Sequence, residues 1–476
     1  MTKSFLWVLY YLDSYNITIE KIDCSSYINE RGIMNKIISN LAFVFFLVFC
    51  LSLCAYGKEV SQETKSPPAD FTLNGLLETA LKTHEDIKNF ESQVEKAHAQ
   101  HRKTRGLYYP SLDLRADGGR ERTDREFGSD TVFNRYDTSL RANQLITDFG
   151  KTQNMIDRSM VLVQQAEARL ASKRQQVLRE GIVAYINLVK ARDRLKSAQK
   201  SENRIKELTG IEKTLVEKKA GLSSNLLQVK SQLAGAMALR VQAEGDLSIA
   251  KNRFQAVFFH MPDNQETAQL TDIPFPHNKL PMTLEDAVSL AQKQNPELLI
   301  TFYDTQLAQK DIDIAQAAFY PQLNLFAEAR GTDNDDGIEG YKNQLSTGLE
   351  FRYNLFRGGA DQAELTSALA NSQAASYYTR YVQRIIREQV SNSWEQLSIF
   401  KHRAVLLKQQ ADIVENFLLL AKKERKMGTR SLLDVLNGEV NYINASAAAI
   451  AADQDTKIAA FNLFFAMGNI GMDLLE

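Results

Sequence analysis

Shifted by 211 positions, the chain overlays itself. Phe71-Thr72-Leu73 falls on Met282-Thr283-Leu284, Ala80 on Ala291, Tyr109-Pro110 on Tyr320-Pro321, and Leu112 and Leu114 on Leu323 and Leu325, without a gap. Farther on, the offset becomes 206: Leu226-Leu227 and Val229 meet Leu432-Leu433 and Val435, and Phe258-Phe259 meets Phe464-Phe465. Repetition restricts the fold more than any single motif, because both copies must make the same elements in the same order. A period this long marks a duplicated, domain-sized unit rather than a solenoid. The repeats are expected at 58–261 and 282–476. A linker at 262–281 carries Pro262, Pro274, Pro276 and Pro281.

Each unit begins with a short helix capped by Thr72 or Thr283. A second helix follows and is stopped by the Tyr-Pro pair. The period then changes from helical to two. Leu112, Leu114 and Ala116 alternate with Asp113, Arg115 and Asp117; Leu323, Leu325 and Ala327 alternate with Asn324, Phe326 and Glu328. Return strands follow at Tyr136, Thr138, Leu140 and Ala142, and at Leu345, Thr347, Leu349, Phe351 and Tyr353. Each is an amphipathic strand, at roughly ten residues long enough to cross a bilayer when tilted. Polar loops at 120–130 and 331–341 suit water. The second includes Asp333-Asn334-Asp335-Asp336-Gly337, which fails the calcium-loop spacing because Asn343 stands where a glutamate is needed.

From about Lys151 to Ala220, and from Ala360 to Met427, proline is absent. At ~1.5 Å per residue these are helices on the order of 100 Å long. Ile156, Val163, Leu170, Val177, Ala184, Ala191, Ala198 and Ile205 recur every seven residues, the pattern of a coiled-coil seam. Turns at Gly221 and Gly428 then send the chain back along a shorter antiparallel helix. Four strands cannot close a barrel, and an open sheet in lipid leaves costly unsatisfied backbone groups. Two copies give eight strands and a filled interior, whereas three give twelve and a passage. The expected fold is therefore mainly α with a membrane β-barrel: a homotrimeric twelve-stranded barrel continuous with a long α-helical coiled-coil barrel.

Charge narrows the function. Lys plus Arg number 57 against 58 Asp plus Glu, so no nucleic-acid partner is implied. Cys24, Cys50 and Cys54 are the only thiols, which leaves the body of the chain without disulfides or cysteine-based chemistry. No phosphate loop, zinc-protease or serine-hydrolase motif occurs, so neither an enzyme nor a cofactor is called for. The apolar run 41–54, with Lys36 before it and Ala55 and Gly57 after it, reads as a secretory leader cleaved after Gly57, with Met34 as the expected start. A lipid anchor on Cys54 is the lesser reading, because Leu53 is large for the residue before a lipidated cysteine. A periplasmic coiled-coil scaffold without a channel is the rival function.

Leader, duplicated helix–strand–strand–helix units, the paired Tyr-Pro and the run Gly428-Thr429-Arg430-Ser431-Leu432-Leu433-Asp434-Val435-Leu436 together resemble the outer membrane efflux protein family typified by TolC. Asp148-Phe149-Gly150 and Arg357-Gly358-Gly359 also look familial. The resemblance implies an outer-membrane duct with a long periplasmic portion, a periplasmic adaptor, and an inner-membrane transporter that is either ATP- or proton-driven. It implies drug efflux or type I protein secretion. It further implies a gate at the periplasmic tip, with Arg430 as gate arginine and Asp434 in an aspartate ring. The second ring position is Asn437 and the first-repeat counterpart of Asp434 is Gln228, so a weaker cation filter is expected. Gly221, Leu222, Ser223, Gly428 and Thr429 are expected to meet the adaptor.

Overall fold

The computed structural model describes residues 72–475; the leader, its cleavage site and the three cysteines lie outside them. The first repeat forms α1 (Leu73–Thr83), α2 (Glu85–Arg105), β1 (Ser111–Thr123), β2 (Thr131–Thr147), α3 (Lys151–Glu217) and α4 (Ser223–Phe258). A short α5 (Asn264–Gln269) lies in the linker. The second repeat forms α6 (Leu284–Gln294), α7 (Pro296–Ala317), β3 (Gln322–Asp333), β4 (Tyr341–Arg352), α8 (Ala360–Lys426) and α9 (Leu432–Met467). Thr72 and Thr283 cap α1 and α6 as expected, their hydroxyls accepting from Gly75 N (3.3 Å) and Asp286 N (3.1 Å).

The duplication is closer in the structure than in the apolar pattern. Both α3 and α8 have 67 residues, and both α4 and α9 have 36. Equivalent positions are therefore 209 apart in this region, not 206. The buried seam Val229, Ala236, Ala243, Ala250, Val257 overlays Gly438, Ala445, Ala452, Ala459, Ala466 at that spacing. A three-residue slip nearly completes a helical turn, so apolar residues still fell on apolar residues and the pattern alone could not detect it. The helix ends fix the register. Lys219 (φ 58°) matches Gly428 (φ 80°), and Phe259 (φ 56°) matches Gly468 (φ 74°).

The expected coiled-coil seam in α3 is present, with Val163, Val177, Ala184, Ala191 and Ile205 buried. The first half of α3 is flanked by α2 and α7, through Lys173–Asp86 (2.9 Å) and Arg158–Asp311 (2.5 Å). Its second half is flanked by α4 and α9, through Arg240–Glu202 (2.6 Å) and Lys190–Asp455 (2.6 Å). The main core lies midway along the long helices, where α1, α6, the linker and the C-terminal turn wrap them around Leu77, Ile182, Tyr185, Phe254, Ile386, Phe461 and Phe464. The linker is tied down by Asp272, which accepts from Lys457 Nζ (2.5 Å) and Gln454 Nε2 (3.0 Å). Burial opposes ionisation of Asp272, but these hydrogen bonds outweigh it and hold the carboxyl below the usual carboxylate range.

Candidate functional site

The four strands form one antiparallel sheet in chain order, with β1 and β4 as its unpaired edges. In register, Leu114 faces Leu140, Leu140 faces Ala329 and Ala329 faces Leu345, so one surface carries a continuous apolar row. Leu112, Leu325, Leu349 and Phe351 extend it, and Leu345 is 79% exposed. Strand parity sends the next residue of each strand to the other surface, where Arg141 reaches Glu328 (3.6 Å) and Glu350 (3.3 Å), and Arg330 reaches Asp137 (2.5 Å). Between Tyr341 and Phe351 there are ten steps, ~34 Å along the strand, or ~26 Å when tilted by about 40°, the height of a lipid-facing band. Tyr109, Phe149, Phe319, Tyr320 and Tyr353 lie exposed at the helical end of the sheet, placed as an interfacial aromatic girdle. The strands run longer than the sequence pattern suggests. β1 continues to Thr123 and β2 starts at Thr131, so the connecting loops shrink to 124–130 and 334–340.

Each return strand enters a long helix through a left-handed turn. Phe149 (φ 54°) and Gly150 (φ 95°) make the first, Gly358 (φ 61°) and Gly359 (φ 81°) the second. Asp148 Oδ2 accepts from Thr152 N (2.8 Å) and Arg357 pairs with Asp361 (3.0 Å), each binding its junction four residues on. Phe149 stacks on Tyr320 of the other repeat at 5.6 Å, which joins the first of these junctions to the turn from α7 into β3.

At the opposite end α3 turns into α4 and α8 into α9. Glu439 of α9 is completely buried, with Arg204 Nη1 of α3 at 2.6 Å and Lys422 Nζ of α8 at 2.8 Å. Nearby Glu212 of α3, also buried, takes Arg425 of α8 at 3.3 Å, and Arg425 Nη1 also donates to Arg430 O (3.4 Å). Tyr442 lies under the Arg204 guanidinium at 5.6 Å and donates to Glu415 (3.1 Å); burial first, and then that carboxylate, push its hydroxyl pKa up. These bonds fasten the second hairpin, α8–α9, to α3 of the first at the tip.

The model of the outer membrane efflux protein family matches the chain twice, at residues 76–258 and 287–469. The chain belongs to this family. The two matches fall one on each repeat. Among similar curated proteins, the outer membrane efflux protein BepC of Brucella suis is 23% identical over 71% of this chain and 73% of its own length. The outer membrane protein TolC of Escherichia coli is 24% identical over 71% and 70%. The outer membrane channel CmeC of Campylobacter jejuni superposes with a TM-score of 0.71 at 18% identity, covering 95% of this chain and 94% of that one. As an outer membrane efflux protein, the chain serves as an outer-membrane exit duct. Its fold is the expected one, a β-barrel segment joined to a long α-helical barrel segment.

Within that frame the expected tip residues are distributed unevenly. Arg430 precedes α9, whose N-cap is Ser431, so Arg430 lies outside the helix that carries Asp434. Arg430 instead pairs with Glu424 (3.0 Å) and lies over the Phe417 ring (5.1 Å). Asp434 sits exposed in the first turn of α9, its N–H donating to Ser431 Oγ (3.1 Å), where a carboxylate complements the helix dipole. Asn437 is exposed on the next turn and Gln228 is half-buried. The corrected register pairs Gln228 with Asn437 and gives Asn225 as the counterpart of Asp434. Gly221 does not make the first turn's left-handed bend, which falls on Lys219. A Cβ on Gly221 would lie 3.0 Å from Leu215 Cβ, so a glycine is needed there for close approach. Leu222 and Ser223 cap and open α4; Thr429 N donates to Glu424 O (3.0 Å) beyond Gly428. Sequence reasoning missed Glu212, Glu439, Arg204, Lys422 and Arg425. A signal existed for Glu212, which is the next seven-residue step after Ile205 on the apolar seam, an acid where a hydrophobe belongs.

Proposed function

We propose that three copies of this chain close their sheets into a twelve-stranded barrel and their helices into one long tube, forming a homotrimeric duct. The observation that carries this is the four-stranded sheet with two unpaired edges and a continuous apolar row, Leu114, Leu140, Ala329 and Leu345, across one face. In lipid such edges must be paired, and a ring is the arrangement that pairs them all. Eight strands fill their interior with side chains; twelve leave a passage lined by the charged face. A periplasmic scaffold gives the apolar face nothing to meet. Repeats at 58–261 and 282–476 around a 262–281 linker then supply pseudo-equivalent halves, and cleavage after Gly57 releases the mature chain.

The tip is the closed end of the duct. Arg204–Glu439–Lys422 and Glu212–Arg425 hold the α8–α9 hairpin inward, with Arg430 bracing the turn. Three copies of Asp434 ring the aperture and favour cations, weakly because Asn437 leaves the second ring uncharged. The turns at Gly221, Leu222, Ser223, Gly428 and Thr429 meet a periplasmic adaptor, which couples the duct to an ATP- or proton-driven inner-membrane transporter. The cargo, by drug efflux or type I protein secretion, is set by that transporter. Bifunctional cross-linking of the detergent-purified protein tests the assembly: the ladder should stop at three chains. A ladder ending at two, or continuing beyond three, refutes the closed ring.

A further inference from the structure

The β3–β4 loop, read from sequence as a solvated outer loop, is folded down onto the charged face of the sheet. Asp335 Oδ1 accepts from Arg135 Nε (3.0 Å) of β2, and Asp335 Oδ2 lies 3.7 Å from Arg330 of β3. Arg125 Nη2, from the β1–β2 loop, donates to Asp336 O (2.8 Å). Thr131 Oγ1 donates to Gly337 O (3.2 Å), and Asn334 Nδ2 donates to Asn134 O (3.0 Å). A Cβ on Gly337 would lie 2.7 Å from Thr131 Oγ1 and 2.8 Å from Thr123 Cβ, so the loop backbone is pressed against both strands of the other repeat. It leaves β3 and β4, crosses the end of β2 and reaches β1. Arg135 is the centre of the arrangement, with Asp117 (3.4 Å), Glu121 (3.6 Å) and Asp137 (3.3 Å) on its remaining sides.

We propose that residues 334–340 are a strap that narrows the outer mouth of the duct, held shut by Asp335 on Arg135 and Arg330 and by Arg125 on the Asp336 carbonyl. The proposal rests on the closed-ring reading, which puts the charged face inside. Twelve strands tilted by about 40° give a backbone radius of about 12 Å. A segment laid on the inner face stands about 10 Å from it, the spacing of packed layers. Three straps therefore nearly meet at the axis. The strap is an outer constriction separate from the tip, at the far end of the sheet, and it sets the size of what leaves or enters.

Labelling in intact cells tests this, and the cysteine-free body of the chain makes it clean. Ser139 lies on the charged face, opposite Arg115 and Arg330 in register and four residues below Arg135. In the full chain carrying Ser139→Cys, a small membrane-impermeant maleimide should react and a bulky polyethylene-glycol maleimide should react slowly. Asp335→Asn with Arg125→Ala should raise the bulky reagent's rate at least about tenfold and leave the small one's unchanged, because each lost charge-assisted bond releases the strap more often. Shortening the loop by residues 335–338, which leaves all four strands intact, is the second variant and should do the same. Bulky labelling as fast in the parent as in either variant overturns the strap. Failure of even the small reagent in every variant points instead at the water-filled lumen, and so at the duct reading.

Discussion

Glu439 offers the sharpest test of how the tip is held. Its carboxylate is fully buried between Arg204 at 2.6 Å and Lys422 at 2.8 Å. A hydrogen bond to a charged group contributes about 1.5–3 kcal/mol. The two cations keep 37% and 38% of their side-chain surface in water, which screens the attraction and favours the lower end of that range. The Arg204 contact, a hydrogen bond, is then worth about 1.5 kcal/mol, and the Lys422 contact, a close ion pair without hydrogen-bond geometry, about 1 kcal/mol. Glu439→Gln retains the shape and one neutral acceptor, so its net cost is about 2 kcal/mol per protomer. At 1.4 kcal/mol per tenfold, the ratio of released to fastened hairpins should rise about 30-fold. Single-channel recording in planar bilayers reads this as open probability, with the heat-sensitive oligomer checked on the same sample. An intact oligomer whose open probability stays within about twofold of the parent would refute the claim that Glu439 fastens the tip.

Further expectations follow from the same geometry. Asp434→Ala should lower cation over anion selectivity in reversal-potential measurements; unchanged selectivity would remove Asp434 from the aperture. Leu140→Arg, in the middle of the apolar face, should cost about 2–4 kcal/mol and block assembly into outer-membrane vesicles, whereas Ser139→Arg, one residue along and on the other face, should be tolerated. Equal behaviour of the two would contradict the assigned faces. Asp272 is held ionised by Lys457 and Gln454, so its folded pKa lies below its unfolded one. Its contribution is present above the usual carboxylate range and is lost as pH falls through the lower, folded value. Hydrogen exchange of 270–275 should accelerate over that acid interval, and Asp272→Asn should abolish the step. Gly468→Ala should destabilise by about 2 kcal/mol or more in thermal unfolding, because φ is +74° there and a Cβ would lie 2.4 Å from Asn295 Cα.

Much of the architecture was legible because it is written in periods. Alternation around Leu112–Ala116 and Leu323–Ala327 gave the sheet and its two faces, and the seven-residue step from Ile156 to Ile205 gave the long packed helix. What periodicity could not supply was position within one turn. The 206 offset matched Leu226 to Leu432 although the helix ends pair Ser223 with that residue, since neighbouring turns on an apolar face are chemically alike. Left-handed residues such as Lys219 and Gly428 break that degeneracy, but a lysine there carries no visible mark. The ionic fastening at the tip depends on pairs 213 and 235 residues apart, Glu212 with Arg425 and Arg204 with Glu439, which no local pattern joins. The same holds for the strap. The polarity of Asn334, Asp335 and Asp336 says only that the loop avoids lipid, and it is Arg135 on another strand that decides which way it folds.

Planar-bilayer conductance of the purified protein, with oligomer size read on the same preparation, decides whether this chain forms a gated passage across the outer membrane. A trimer giving small, mostly closed, cation-preferring channels is the expected result. A species that remains soluble without detergent and carries no current would contradict it.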